Sequence, residues 1–237
     1  MLIPMVTAVF FIISLVVFHS SFLEAKAVSG ANIFPPPPNT KPYGLSYEEH
    51  VKNFYKWLLS MPTDENPVND PTGLKCANGQ TNSNSSVFYL VGVGGGISHK
   101  TCNIPAGKSI FIPVGTVEAS DKEAPNASVD DLNNIAKKDQ DSITSLSLKI
   151  GDKQYSFDDL KKYRVHTGVF DVVFPKNALF GVKEGKSKVV ADGYHIITEK
   201  LPKGTYTINY KDSLICPGGD CSAPNFAEDA TFTLIVQ

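Results

Sequence analysis

The chain carries little net charge and no local concentration of it. Its 22 basic and 24 acidic residues leave a formal charge of −2. The lysines are spread along the sequence, which removes the electrostatic footprint that nucleic-acid binding needs. No G-x-S-x-G elbow occurs, so a standard α/β-hydrolase serine site is unsupported. The four cysteines contain no C-x-x-C spacing, and no histidine lies within a few residues of Cys216 or Cys221, which argues against zinc. His99 lies near Cys102, but one histidine and one cysteine do not make a site. Phosphate loops are missing as well. Gly92-Val93-Gly94-Gly95-Gly96 has no helical pattern behind it and reads as a hairpin loop. Gly107-Lys108-Ser109 and Gly185-Lys186-Ser187 lack the upstream glycine of a Walker motif, where Cys102 and Phe180 stand instead. Past the first eighteen residues no apolar run is long enough to span a bilayer, and there is no internal repeat.

That opening run, Met1 to Phe18, is followed by Ala25-Lys26-Ala27, a small-x-small pattern accepted by signal peptidase. Residues 1–27 are therefore read as a signal peptide. An uncleaved anchor is the alternative, because no basic residue precedes the apolar stretch. Residues 28–45 form a spacer in which Pro35 to Pro38 favour an extended polyproline segment. The secreted domain then runs over 46–237. In an oxidising compartment an even number of cysteines reads as disulfides. Three pairings are open; Cys76 with Cys102 and Cys216 with Cys221 is favoured, since Pro217-Gly218-Gly219 supplies a turn between the last two. Asn84-Ser85-Ser86 and Asn126-Ala127-Ser128 are glycosylation sequons.

The domain opens with a helix predicted from the capping box at Ser46 to Glu49 and the spacing of Val51, Phe54, Leu58 and Met61, with Trp57 beside them and Pro62 as the stop. A second, short helix is predicted from Ser128 as N-cap to Asp141. The remainder reads as strand: Val87–Val91, Ile110–Val117 and Val169–Phe174, a hairpin about Gly151-Asp152, and a second hairpin joining Tyr194–Ile197 to Tyr206–Tyr210, with Phe232, Leu234 and Val236 closing the sheet. This pattern predicts a mainly β fold, an antiparallel β-sandwich with an N-terminal helix and one short inserted helix.

Candidate chemistry is sparse. Glu118, following a strand, and Asp171, within one, are the weak candidates for an acid/base pair of the glycosidase kind. Asp64, Asn69 and Asp70 put oxygen ligands in one loop, which makes calcium the single cofactor worth testing; an Asx-turn cluster is the competing reading. His50, His99, His166 and His195 are scattered singly.

Taken in order, Trp57, Asn66-Pro67, Asp70, Gly73, Cys76, Gln80, Phe88-Tyr89-Leu90, Cys102, Ile104 to Lys108, Glu118-Ala119-Ser120, Asp192-Gly193-Tyr194 and Leu201 to Gly204 resemble a family of uncharacterised secreted β-domain proteins. The resemblance implies the architecture and the Cys76–Cys102 pairing and supplies no reaction. The chain departs from the family pattern at Ala119, where a cysteine is frequent, and in Cys216 and Cys221. The resulting expectation is a secreted or envelope-associated, non-catalytic binding or structural domain, possessing no membrane span of its own unless the N-terminal run is retained as a tether. Its partner is expected to be an extracellular ligand, polymer or envelope component. The alternative is a secreted hydrolase acting on glycans or another extracellular polymer through carboxylates such as Glu118.

Overall fold

The computed structural model describes residues 35–80, 85–216, 221 and 225–237. The signal segment, the first part of the spacer and Asn84 lie outside them.

Helix α1, Tyr47–Leu59, begins as its sequence dictates. Ser46 Oγ accepts from the Glu49 N–H, and the Glu49 carboxylate accepts from the Ser46 N–H, so two orphan donors are satisfied reciprocally. Its C-terminal end is held by Asn66, whose amide donates to the Leu58 carbonyl at 2.7 Å. The strands that follow are β1 Val87–Tyr89, β2 Gly96–Ile104 and β3 Ser109–Ser120. Helix α2, Val129–Asp141, is capped by Ser128 and Asp131 in the same reciprocal way. Then come β4 Ile143–Ile150, β5 Lys153–Tyr155, the single-turn α3 Phe157–Leu160, β6 Arg164–His166, β7 Phe170–Phe174, β8 Gly185–Ile197, β9 Gly204–Leu214 and β10 Phe226–Val236.

Two five-stranded sheets form. The first runs β1-β3-β8, with β6 and β7 sharing the far edge of β8; the second runs β2-β10-β9-β4-β5. Both are mixed, and not antiparallel throughout as the sequence predicts. Between β1 and β3 the chain leaves for the other sheet to make β2, so β1 returns to β3 as a parallel neighbour, and β2 lies parallel to β10. The hairpin about Gly151-Asp152 forms as predicted, with Ile150 opposite Lys153. The second predicted hairpin does not. Tyr194–Ile197 ends β8 in the first sheet and Tyr206–Tyr210 belongs to β9 in the second, so Leu201 to Gly204 is a crossing between layers, and the hairpin partner of β9 is β10. For the same reason the Gly92–Gly96 segment is a crossing and not a hairpin loop.

The first sheet is sandwiched. On one face sits α1, where Phe54 stacks on Phe111 with ring centroids 5.0 Å apart and also meets Tyr89 and Trp57. Trp57 is buried and donates to the Asn78 carbonyl, so it is a core residue. On the other face lies the second sheet: a Cβ added at Gly115 would come within 2.8 Å of Leu146 and 3.2 Å of Ile143. α2 packs on β3 and β8, closing a small apolar cluster of Ala119, Leu132, Ala136 and Val190.

Cys76 pairs with Cys102 and Cys216 with Cys221, and no described cysteine is free. The first bond ties the loop after α1 to β2 in the second sheet. Replacing both Cys76 and Cys102 by Ser is expected to lower stability by about 3 to 4 kcal/mol on the loop-entropy model, read from urea unfolding under non-reducing conditions. Two disulfides indicate an oxidising setting. No helix among the described residues is long and apolar enough to cross a membrane.

Candidate functional site

β1 pairs only with Ser109 to Phe111 of β3. Beyond Leu90, whose N–H donates to the Phe111 carbonyl, no described strand pairs with that edge of β3, where the Gln140 amide donates to the Gly115 carbonyl, and the β-bulge between Pro113 and Gly115 changes which residues face which layer. A cleft of ≈ 450 Å³ opens there. Its walls come from α1 (Phe54, Tyr55, Leu58, Leu59), from β3 (Pro113 to Glu118), from α2 and the start of β4 (Asp139, Ile143), and from the ends of β9 and β10 (Tyr210, Asp212, Leu214, Phe226, Glu228). Phe180, in a left-handed backbone conformation and 69 % exposed, borders it. The walls are largely apolar. The polar lining holds five carboxyl side chains, Glu118, Glu123, Asp139, Asp212 and Glu228, and no Lys, Arg or His.

Four of the five acids lie near one another in twos. Glu118 on β3 neighbours Glu123, which lies in the turn that follows. Burial, then the Glu123 charge, pushes the Glu118 carboxyl well above the usual carboxylate range. Glu123 is steadied by the Ser120 hydroxyl, which donates at 2.5 Å. The Glu118 residue as a whole is only half-buried, yet its Oε2 is enclosed and has no partner among the described residues.

The second pair faces in from the other sheet. Inward positions on β9 run Tyr206, Ile208, Tyr210, and the next one holds Asp212, opposite Glu228 on β10. Asp212 is 7 % exposed and its Oδ1 has no partner among the described residues. Burial, then the Glu228 charge, raises its carboxyl from 3.8 to about 8. Glu228 is fully engaged. Its Oε1 accepts from the Val93 and Gly94 N–H groups at 2.7 and 3.1 Å, and Tyr210 Oη donates to Oε2 at 3.2 Å. The glycine segment therefore cradles an anion, but that anion is a side chain of the same protein.

Behind this loop lies an inverse arrangement. Lys100 occupies an inward position of β2, 2 % exposed, and its ammonium donates to the carbonyls of Pro67, Val91 and Gly92 at 2.7 to 2.9 Å. Burial lowers it to about 8, against the opposing pull of Asp70 and Glu228. It braces the loop from outside the cleft. A further chain of polar contacts runs from Tyr55 Oη through Thr116 Oγ1 to His195 Nε2, at 2.8 and 2.9 Å; burial takes His195 down to about 3, so its ring is neutral.

Of the residues singled out from sequence, Glu118 lines the cleft and Asp171 does not. Asp171 is exposed on the edge strand β7, opposite Lys188, so the two do not form an acid/base pair. Asp70 takes the Asx-turn course: its oxygens accept from Thr72 and Lys75 N–H and from the Thr72 hydroxyl. The Asn69 amide donates to the Thr63 carbonyl, and Asp64 is exposed. Among the described residues no group of three or more His, Cys, Asp or Glu is arranged to hold a metal ion, so the calcium expectation finds no support in this loop. Asn126 is exposed, two residues before the α2 cap. His50 is buried against the Pro42 carbonyl, and His166 contacts Asp192 and Asn133 within an ion-pair network centred on Arg164, which binds Asp192 through two nitrogens at 2.9 and 2.8 Å. Asp192 is thus a framework residue, and its neighbour Gly193 is required because a Cβ would lie 2.7 Å from the Thr116 Cα.

Sequence reasoning passed over Asp212, Glu228 and Glu123. The available signal was the alternation of β9, in which Asp212 falls in register with Tyr206, Ile208 and Tyr210.

No protein-family model matches the chain, and no curated protein or solved structure matches it.

Proposed function

We propose that the chain is an extracytoplasmic binding domain that takes a small ligand, or a segment of a larger one, into the cleft between α1, β3 and the second sheet. The observation that carries this is Asp212: a buried carboxyl in the lining of an apolar-walled cavity, with no hydrogen-bond partner for its Oδ1 among the described residues. An unsatisfied acid is unfavourable in a folded core by about 1 to 3 kcal/mol, and such groups recur where a ligand completes the site. The paired disulfides support the extracytoplasmic setting, and the order of motifs supports membership of the secreted family that the chain resembles. A thermal-shift and calorimetric screen of residues 28–237 against small molecules and polymer fragments tests the reading. Hits are expected to be lost in both Asp212→Asn and Glu118→Gln; hits untouched by both would place binding elsewhere.

One observation favours a second reading, the secreted hydrolase. Glu118, whose carboxyl is raised by burial and by the neighbouring Glu123 charge, sits beside a second carboxyl in the cleft lining, as acid/base catalysts do. Glu118 would then act as the general acid or base toward a water molecule. Under this reading Glu118→Gln binds a polymer fragment normally and cleaves it about 100-fold more slowly or worse. Equal, undetectable cleavage by wild type and variant on every bound fragment would leave the binding function alone.

A further inference from the structure

The cleft's chemistry defines the class of ligand, granted the binding reading above. We infer that it takes a small organic cation, a protonated amine on an apolar body.

Three features converge on this. The lining bears carboxyls from four separate parts of the fold, namely β3, the turn after it, α2 and the paired ends of β9 and β10, and it holds no basic side chain. An anionic ligand would have no basic side chain in the lining to neutralise it. Two of the acids, Asp212 and Glu118, also lack a full set of partners, whereas Glu228 and Glu123 are hydrogen-bonded within the protein. In an ion-pair network such as Arg164 with Asp192 and Asp141, each carboxylate has a guanidinium against it. Asp212 has no such partner, and one of its oxygens and one of Glu118's are enclosed without a hydrogen-bond partner among the described residues. The nearest buried cation, Lys100, is committed to three carbonyls on the far side of the 91–94 loop. Finally, the walls are apolar: Phe54, Leu58, Leu214 and Phe226 would cover a hydrocarbon body, which a hydrated inorganic ion does not offer.

The same geometry gives binding a pH signature. Asp212 faces Glu228 and Tyr210 from the second sheet, and the cleft's other titratable groups are Tyr55 of α1, Glu118 of β3, Glu123 and Asp139 of α2. In the empty cleft Asp212 holds its proton up to about pH 8. An ammonium group beside it favours the ionised form, so binding releases a proton from the protein, and affinity rises as pH is raised toward 8. For one proton the gain approaches tenfold per pH unit.

The test uses three ligands of one shape, benzylamine, benzyl alcohol and benzoate, with calcium chloride as an inorganic cation, measured by calorimetry and thermal shift on residues 28–237. The amine is expected to bind about tenfold or more tighter than the alcohol, benzoate and calcium not at all, and Asp212→Asn to lose the preference while remaining folded by its own melting transition. Alcohol or benzoate binding as tightly as the amine, with the same loss in Asp212→Asn, would overturn the cation and leave the binding cleft standing. A calcium shift matching that of the amine overturns the organic ligand in favour of a metal. No binding by any of the four overturns the inference, and the cleft's function then rests on the hits of the wider screen.

Discussion

Asp212→Asn is expected to make the protein more stable at pH 7 while removing its ligand. The sign follows from the raised carboxyl. Below pH 3.8 Asp212 is protonated in both folded and unfolded chains and contributes no difference. Between 3.8 and about 8 the unfolded chain ionises while the folded one retains its proton, so wild-type stability falls as pH rises through this window, and the full penalty is present above it. At pH 7 that amounts to about 4 kcal/mol at most, reduced to roughly 2 to 3 by the unmet donor of the new amide. Unfolding in urea at pH 5 and at pH 8 reads the effect directly: the variant is close to wild type at pH 5 and clearly more stable at pH 8. A gap that is the same at the two pH values would mean that Asp212 is ionised and paired in solution. Stability given up at one side chain that a ligand then restores is the pattern expected of a binding residue.

Gly92→Ala is the second large effect, and it acts on the loop that shapes the cleft. A Cβ at this position would lie 2.1 Å from Glu228 Oε1 and 2.6 Å from Tyr210 Oη. Glu228 sits at the end of a flexible side chain, but it cannot move away and keep its bonds to the Val93 and Gly94 N–H groups. Tyr210 is fully buried and stacked on Phe232, 5.9 Å between centroids, so it does not yield either. Losing the cradle leaves a carboxylate and two N–H groups without partners, a loss of about 2 to 4 kcal/mol. Gly92 does not have a positive φ, so the loss is steric, with no backbone-strain component. Amide exchange at Val93 and Gly94 is expected to quicken well beyond the global change in stability. Unchanged exchange at both amides, with wild-type stability, would contradict the cradle.

How much of this was legible in the sequence differs from element to element. Helices α1 and α2 were, because their signals are local: Ser46-x-x-Glu49 and Ser128-x-x-Asp131 close capping boxes within four residues; the single-turn α3, capped by Ser156 and Asp159, was not. Of the three possible disulfide pairings, the one favoured from sequence separation and the Pro217-Gly218-Gly219 turn residues is the one that forms. Sheet membership was not legible, since which layer a strand joins is decided by contacts distant in sequence; Leu201 to Gly204 has the residues of a turn and is a crossing. β2 escaped notice because one of its inward positions is Lys100, a charge that reads as surface until three carbonyls are seen to hold it. Of the candidate site, Glu118 was visible as an acid at the end of an apolar strand. Its partner Glu123 and the opposing Asp212 and Glu228 were not, because three separate chain segments have to meet before these carboxyls become one cleft. Gln80 and Gly73 hold framework positions: Gln80 donates to and accepts from Tyr89 as a strand would, and a Cβ on Gly73 would come 2.5 Å from the Thr101 carbonyl oxygen.

The central claim is that a cleft acid surrenders its proton to make way for a cation. Calorimetric titration of benzylamine at pH 7 in two buffers of different ionisation enthalpy counts that proton. The account predicts close to one proton released by the wild-type protein for each amine bound, and none by Asp212→Asn. Binding with no proton released, or with the same release from the variant, would contradict it.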